Sequence, residues 1–311
     1  MKNQYVADIN DYVKYALLRA LAPPNRPVAV VWMLTAGDGR TDGRRLNYLG
    51  QPIRFRPIDP SLFDQLGMIG GSGRRSVAAV EERCLLPGAG FFAEPLHDDA
   101  HRRRTYFDRA LAKCRGFPII FFDPDNGFAV KSIPKGSRNS AKYLYWDELA
   151  RTYERGHSVV VYQHFPRRPR LEFLHALAAR IYEVTGLART LVLQTAHVAF
   201  AVIPQMDCAE DLADSLTQFA RHAATHMPVH LYDFAPADGL GVARPLGVEA
   251  DVERVRPAVA GRRQPDGDSP RPDPCDGAAE THAILDAAEL DLPRRDFEEA
   301  QAGGPEPVRH E

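Results

Sequence analysis

Phe121-Phe122-Asp123-Pro124-Asp125-Asn126-Gly127 ends a continuous apolar run that begins at Phe117. An uninterrupted apolar run of this kind is typical of a buried strand in a parallel sheet. In open α/β sheets the ligand lies outside the carboxyl ends of the strands, which is where this stretch turns polar. The same residue types are also the commonest in ordinary turns. The stretch therefore predicts a buried strand followed either by a plain turn or by a site.

Further strands and helices surround this one in the sequence. Apolar, β-branched runs at 27–34 and 158–162 predict two more buried strands, and helical spacing predicts helices over 99–115 and 170–185. An N-terminal helix is expected to begin after Asp8, which can cap it, and to end before Pro23. Strands that alternate with helices indicate an α/β protein with a doubly wound, mostly parallel sheet.

The last two predicted strands, 190–193 and 198–203, are separated by only a few residues. Such a short connection favours antiparallel neighbours, because a parallel pair needs a crossover of a dozen residues or more. We therefore expect the sheet to finish in a terminal antiparallel hairpin. A doubly wound sheet with this ending is the arrangement of methyltransferase-like domains.

Composition divides the chain into two parts. Residues 1–235 carry the predicted α/β domain, whereas 236–311 are rich in Pro, Arg, Asp, Gly and Ala and almost lack aromatic residues. A segment of that kind cannot bury enough apolar surface to offset the entropy lost on ordering. We predict a mostly disordered tail over 236–311, with one short helix at 283–292.

The bulk properties restrict the classes of function. The 311 residues are 44% apolar and carry a formal net charge of −2, which argues against a protein that coats nucleic acid. Local basic runs stand at 102–104 and 167–170, and a solvated face is the ordinary interpretation of each. The four cysteines show no C-x-x-C spacing, so neither a zinc site nor a disulfide framework is indicated. With no signal peptide or membrane-length apolar run, we expect a cytoplasmic protein without a membrane partner.

Three strand ends are expected to converge at one edge of the sheet. They carry the sequences Gly37-Asp38-Gly39-Arg40, Asp123-Pro124-Asp125-Asn126 and Tyr162-Gln163-His164-Phe165-Pro166. Glycines allow a backbone to approach a ligand closely, and turn amides can bind an anion or carboxylate. Gly37, Asp38 and Gly39 are therefore candidate cofactor-binding residues, with a glycine-rich surface turn as the alternative.

The other candidate residues have roles that follow from their chemistry. Glu94, after a short predicted strand, is a candidate to bind a ribose diol, or else an exposed loop carboxylate. Asp123 could orient a substrate amine by hydrogen bonding, which is catalysis by positioning. Asp125 and Asn126 could add contacts or bind a divalent cation through oxygen. His164 could act as acid or base, or could make a structural hydrogen bond.

These residues give the chain a resemblance to a known family. It resembles class I S-adenosylmethionine-dependent methyltransferases, nearest to the bacterial ribosomal-RNA adenine-N6 methyltransferases. Trp32-Met33-Leu34-Thr35-Ala36-Gly37-Asp38-Gly39-Arg40 is similar to their methyl-donor loop, and Asp123-Pro124-Asp125-Asn126 stands in the place of their Asp-Pro-Pro-Tyr. The chain also resembles a set of bacterial proteins with Lys-Asn-Gln-Tyr and Asp-Pro-Asp-Asn-Gly motifs, here at 2–5 and 123–127.

The resemblance implies S-adenosylmethionine as cofactor and methyl transfer to an amine, on a substrate that could be nucleic acid. In that role Gly37, Asp38 and Gly39 would hold the donor, Asp123 would hold the acceptor amine, and His164 would assist. Asp125 and Asn126 stand where the resembled family carries proline and an aromatic residue. Two alternatives are a metal-dependent nuclease or phosphodiesterase using Asp123, Asp125, Asn126 and His164, and a non-catalytic interaction module.

Overall fold

A computed structural model describes residues 1–36, 43, 45–186, 189–234 and 243–245. Eight α-helices lie in these ranges: α1 Ile9–Leu21, α2 Pro52–Phe55, α3 Pro60–Gly71, α4 Val77–Glu82, α5 Ala100–Lys113, α6 Trp146–Tyr153, α7 Arg170–Thr185 and α8 Ala209–Ala224. The Asp8 side chain accepts a hydrogen bond from the amide of Asn10 and so caps α1, as its sequence predicts. None of the helices in the described ranges has the length and apolarity needed to cross a membrane.

Ten strands are found in the same ranges: β1 Val28–Val31, β2 Gly90–Phe92, β3 Ile119–Phe122, β4 Gly127–Phe128, β5 Tyr143–Leu144, β6 Ser158–His164, β7 Thr190–Thr195, β8 Val198–Ile203, β9 Val229–Phe234 and β10 Ala243–Pro245. Eight of them form one sheet in the order β10-β9-β7-β8-β6-β3-β1-β2, and β4 pairs separately with β5. Strands β2, β1, β3 and β6 are parallel neighbours. Strand β8 runs antiparallel to both β6 and β7. The predicted doubly wound sheet with a terminal antiparallel hairpin is therefore confirmed.

Helices cover both faces of the sheet because the inner strands are apolar on both sides. One core cluster joins α1, α3, α4 and α8 to one face, and a second joins α5, α6 and α7 to the other. Phe121 belongs to the first cluster and Phe122 to the second, since neighbouring side chains of a strand point to opposite faces. Each is fully buried, which contributes about 1.5–3 kcal/mol per side chain.

Several local predictions need correction. The segment Gly70-Gly71-Ser72-Gly73 predicts a flexible link, but helix α3 continues through Gly70 and Gly71. Helical spacing predicts that Leu171 faces inward with Leu174 and Leu177, but Leu171 is 47% exposed. Strand β9 was not predicted, and β10 falls inside the segment predicted to be a disordered tail. The rest of that segment, with the helix predicted at 283–292, lies outside the described residues.

The strand order creates a crevice at the carboxyl edge. The chain passes from β1 to β2 on one side and then returns to β3 on the other side of β1. Ligands of doubly wound sheets bind where the strand order reverses in this way, beyond the carboxyl ends of the two central strands. The topology therefore directs attention to the residues that follow β1 and β3.

Candidate functional site

Three predicted strand ends meet at the carboxyl edge of the sheet. Thr35, after β1, donates from Oγ1 to Oδ2 of Asp125, after β3, at 2.7 Å. The backbone amide of His164, at the end of β6, donates to the carbonyl of Asn126 at 3.1 Å. The predicted segments at 123–126 and 162–166 are therefore in contact, whereas Gly37-Asp38-Gly39-Arg40 lies outside the described residues.

Asp123 is buried in an ion-paired group rather than directed into solvent. It is 1% exposed, and its Oδ2 accepts a hydrogen bond from Nζ of Lys14 at 2.7 Å. Lys14 also donates to Oδ1 of Asp11 at 2.7 Å, and Oδ2 of Asp11 accepts from the Tyr15 hydroxyl at 3.1 Å. The Lys14 ammonium lies 4.8 Å from the ring centre of Tyr162. One cation from α1 thus joins two buried carboxylates to an aromatic face.

The charges in this group influence one another strongly. Burial lowers the pKa of Lys14, but Asp11 and Asp123 together raise it above its ordinary value, so the ammonium stays charged. Burial raises the pKa of Asp11 to about 6, with Lys14 acting in the opposite direction. Asp11 therefore takes up a proton at a higher pH than an ordinary aspartate does.

Asp125 forms a second ion pair beside the first. Its Oδ1 lies 2.8 Å from the amine of Met1, and Nζ of Lys2 is 4.0 Å from its Oδ2. The Met1 amine also donates to the carbonyls of Asp123 at 2.9 Å and Met33 at 3.1 Å. Burial would raise the pKa of Asp125, but the charge and hydrogen bond of the Met1 amine outweigh it and lower the pKa. Both aspartates of the predicted site therefore bind amines.

These ion pairs are grouped below as the carboxyl-edge cluster, which comprises the Met1 amine, Asp11, Lys14, Asp123 and Asp125. The cluster lies at the crevice between β1 and β3, because the Met1 amine contacts the ends of both strands. The site predicted at Asp123 and Asp125 is thus made partly from the N-terminal helix and the residues that precede it.

Backbone strain accompanies the carboxyl-edge cluster. Met33, which follows β1, has φ of 47°, and Ala7, which precedes α1, has φ of 70°. Left-handed backbone at a residue other than glycine costs roughly 1–3 kcal/mol and persists only where the surroundings hold it. The carbonyl of Met33 accepts from the Met1 amine, and the carbonyl of Ala7 accepts from the Tyr48 hydroxyl at 3.1 Å. Strain of this kind concentrates at functional sites.

A glutamine holds the turn that follows Asp125. Oε1 of Gln163 accepts from the amide of Phe128 at 2.8 Å, and its Nε2 donates to the carbonyl of Asn126 at 3.2 Å. Gly127 has φ of 114°, and a Cβ there would lie 2.2 Å from Oε1 of Gln163. Only glycine fits this position, so the Asp-Asn-Gly turn has a structural reason as well as a place at the site.

The remaining candidate residues lie around the cluster. The His164 side chain is exposed, and its ring packs edge-on against Tyr162 with 5.1 Å between centres. Glu94 follows β2 and forms an ion pair with Arg109 of α5. Leu96 donates through its amide to the carbonyl of Leu34 at 2.7 Å, so the segment after β2 runs beside the end of β1. Gly37, Asp38 and Gly39 lie outside the described residues.

Sequence reasoning did not assign a site role to Lys14 or to the Met1 amine. A pattern that could have found Lys14 is present in α1. Four buried residues of this helix follow helical spacing, namely Asp11, Lys14, Leu18 and Leu21. Charged residues on a buried stripe need partners, so two of opposite sign there indicate a buried ion pair. Tyr145 and Trp146, for which the sequence favours core positions over a stacking surface, are core residues, and Trp146 stacks on Phe128 at 4.7 Å.

The geometry does not favour a metal centre in the described part of the chain. No group of three or more histidine, cysteine, aspartate or glutamate side chains is arranged there to hold a metal ion. Asp123 and Asp125 instead have ammonium groups within hydrogen-bonding or ion-pair distance. A cation site at these residues would require those ammonium groups to leave.

Comparisons with known proteins give little further information. No family model matches the chain, and no curated protein matches it. Among solved structures, the crystal structure of protein LPL1258 from Legionella pneumophila, described by the family model DUF519, is similar over 75% of this chain and 98% of that one. The identity is 11% and the TM-score is 0.37, so neither fold nor function is transferred from it.

Proposed function

We propose that the chain is an S-adenosylmethionine-dependent methyltransferase that acts on an amine, for which an amine of a nucleic acid base would be one acceptor. The observation that carries the proposal is the sheet order, with β8 reversed between β6 and β7 and with β1 and β3 adjacent where the strand order reverses. This arrangement brings Thr35, Asp125 and the backbone of His164 together at one edge. The order β2-β1-β3-β6-β8-β7 supports the proposal because it resembles the arrangement of the methyltransferase-like class that the sequence resembles.

The residues at this edge offer suitable chemistry for the cofactor. Glu94 follows β2 beside the end of β1, and its carboxylate could accept hydrogen bonds from the two hydroxyls of a ribose. Its present partner, Arg109, is a solvent-exposed side chain, and exposed ion pairs exchange partners at little cost. Gly37, Asp38 and Gly39 would hold the rest of the donor, as the resemblance implies. S-adenosylmethionine would supply a methyl group bound to positively charged sulfur.

The acceptor side of the proposal rests on the aspartates after β3. Asp123 and Asp125 have amines at 2.7 and 2.8 Å, so this strand end has the geometry to bind amines. Positioning is the main contribution asked of such residues, because a well-oriented amine needs no strong base to attack an electrophilic methyl group. The amine would lose one proton when the new bond to carbon forms. His164 lies at the same edge, and desolvation by the surrounding protein lowers the pKa of its imidazole to about 4, so it could pass that proton on to solvent but would not hold it at neutral pH.

The proposal is tested by calorimetric titration of S-adenosylmethionine into the full chain. We expect one binding site, and in Glu94→Gln an affinity about tenfold or more lower, because a hydrogen bond to a charged group contributes about 1.5–3 kcal/mol. Glu82→Gln, at the exposed C-terminal end of α4, is the matched control and should bind like the wild type. No binding by the wild-type chain would overturn the proposal.

A second candidate is a non-catalytic module with a methyltransferase-like sheet. One observation favours it, since the chain's own Lys14 and Met1 amines already contact Asp123 and Asp125. It predicts that the chain binds S-adenosylmethionine weakly or not at all and that Lys14→Met changes only stability. The methyltransferase proposal predicts that Lys14→Met also changes the affinity for the cofactor or acceptor, because Lys14 fixes Asp123.

A further inference from the structure

The loop between β6 and α7 carries positive charge that the helix itself does not explain. Arg167, Arg168 and Arg170 flank the first turn of α7, at the same edge of the sheet as the carboxyl-edge cluster. The N-terminus of a helix is the positive end of its dipole, where cations are disfavoured. Stabilisation of α7 therefore does not explain why arginines stand at this position.

Arg168 is the member of this loop with unused hydrogen-bond donors. Its guanidinium stacks on the ring of Phe173 at 4.9 Å. Its Nε and Nη2 atoms are shielded from solvent and have no hydrogen-bond partner among the described residues. Burial lowers the pKa of Arg168, and the nearby charge of Glu172 only partly opposes this. Shielded donors without an acceptor destabilise a protein, so this arrangement calls for a ligand that accepts hydrogen bonds.

The surroundings of Arg168 are rigid and positive. Arg170 stacks on Phe165 at 5.0 Å, and its Nη2 donates to the carbonyl of Ala196 at 2.7 Å, which ties the β7–β8 turn to the start of α7. Phe165 and Phe173 pack edge-to-face at 6.0 Å, so the two arginines cover a common aromatic pair. Partial burial lowers the pKa of His197 in that turn, and so do the charges of Arg45 and Arg170. An anion at this place would meet a preformed positive surface.

We propose that Arg168 binds a phosphate group of a ligand at the loop between β6 and α7. The planar fork of a guanidinium matches two phosphate oxygens, and stacking on Phe173 fixes that fork before the ligand arrives. Arg170 adds positive charge without needing to leave the Ala196 carbonyl. The phosphate belongs either to a small phosphorylated compound or to the backbone of a nucleic acid strand. The proposal does not depend on methyl transfer, since phosphate binding can be measured without S-adenosylmethionine.

The unused donors of Arg168 give a distinctive expectation for stability. An arginine that only supports the fold loses contacts when it is replaced, and the protein becomes less stable. Arg168→Met keeps a flexible apolar side chain over Phe173 and removes the unpaired donors. We therefore expect the melting temperature of Arg168→Met without ligand to equal or exceed that of the wild type, whereas a clear decrease would assign Arg168 to the fold and overturn the proposal.

Binding is tested on the full chain with inorganic pyrophosphate and, separately, with a short single-stranded oligonucleotide, both by calorimetry. We expect at least one probe to bind the wild type and Arg168→Met to bind it at least tenfold more weakly. Arg155→Met is the matched control, because Arg155 is exposed after α6, beyond the opposite end of the strands, and should bind like the wild type. If pyrophosphate binds more tightly, the ligand is a small phosphorylated compound. If the oligonucleotide binds more tightly, the ligand is the backbone of a nucleic acid strand.

A second measurement is independent of how well the variant folds. Nitrogen-15 NMR of the arginine Nε–H groups should show the Arg168 resonance shifting on addition of the bound probe, while that of Arg155 stays in place. The proposal is overturned if neither probe binds the wild type, or if Arg168→Met and Arg155→Met lose affinity equally. Failure of the S-adenosylmethionine titration alone would leave these results unaffected, so the two proposals fail separately.

Discussion

Two buried charge networks of this protein differ in the geometry of their ion pairs. On one face of the sheet, Nε and Nη2 of Arg103 donate to the two carboxylate oxygens of Glu148 at 2.6 and 2.8 Å. The same guanidinium donates to the carbonyls of Ser140 and Tyr143, and Glu148 also accepts from the amide of Tyr145 at 2.9 Å. This network holds the 140–145 segment against α5 and α6, and its hydrogen bonds all close within the protein.

The carboxyl-edge cluster is built differently. Its cations are the ammonium groups of Lys14 and Met1. Each of them contacts a carboxylate through one oxygen atom, whereas the planar guanidinium of Arg103 contacts both oxygens of Glu148. It lies at the strand ends, and it carries a carboxyl group with a raised pKa. The contrast indicates that buried charge alone does not identify a site. Buried charge at the carboxyl ends of the strands, where ligands of such sheets bind, is the better indicator.

The largest expected effect comes from breaking the Arg103–Glu148 network. Arg103→Met removes the guanidinium that binds both carboxylate oxygens of Glu148 and leaves only Lys135, 3.4 Å from Oε1, as its counter-charge. Loss of one partner from a buried pair costs about 3–5 kcal/mol. Urea unfolding at pH 7 measures the change in the free energy of unfolding. Arg104→Met, the exposed neighbour in α5, is the control and should change it by no more than about 0.5 kcal/mol. A loss below about 1 kcal/mol in Arg103→Met would contradict the structural role of this pair.

Removing the cation of the carboxyl-edge cluster should have a somewhat smaller effect. Lys14→Met leaves Asp11 and Asp123 buried together, but Asp11 can take up a proton, so we expect a loss of about 3–4 kcal/mol at pH 7. Adding Asp11→Asn to Lys14→Met removes one of the two carboxylates and should restore part of that loss. Equal stability of the single and double variants in urea unfolding would show that the two residues do not interact as the structure has them.

The pH dependence of stability provides a test specific to Asp11. Its pKa is raised to about 6 in the folded chain, against roughly 4 when unfolded. Between these values the folded chain holds the proton and the unfolded chain does not, so this group's contribution to stability falls as the pH rises from about 4 to 6. The loss should reach roughly 3 kcal/mol relative to Asp11→Asn, at 1.36 kcal/mol for each pH unit. If the stabilities of the wild type and Asp11→Asn change in parallel between about pH 4 and 6, the raised pKa is not that of Asp11.

Glu94 should affect stability least of the residues compared here. Its pair with Arg109 is exposed, and pairs of this kind contribute about 0–1 kcal/mol. Glu94→Gln is therefore expected to unfold within about 1 kcal/mol of the wild type in urea, although its affinity for S-adenosylmethionine falls. A large loss of stability would mean that Glu94 supports the fold and would make its effect on binding uninformative.

The sequence predicts the fold better than it predicts the site, for reasons that particular residues illustrate. Apolar runs such as 119–122 identify buried strands directly, and the polar residues after them mark the carboxyl edge. Lys14 contacts Asp123 across 109 positions, and no local pattern records a contact of that range. In β9, His230 is exposed and Tyr232 only half-buried between buried neighbours, an alternation easily overlooked beside a polar tail.

The central claim is that the carboxyl edge binds the ligand whereas the Arg103–Glu148 network only supports the fold. Backbone hydrogen exchange of the wild-type chain, with and without saturating S-adenosylmethionine, tests this claim directly. We predict slower exchange on binding at 32–36, 92–96 and 123–128, with exchange at 140–148 unchanged. Unchanged exchange throughout, or protection confined to 140–148, would contradict it.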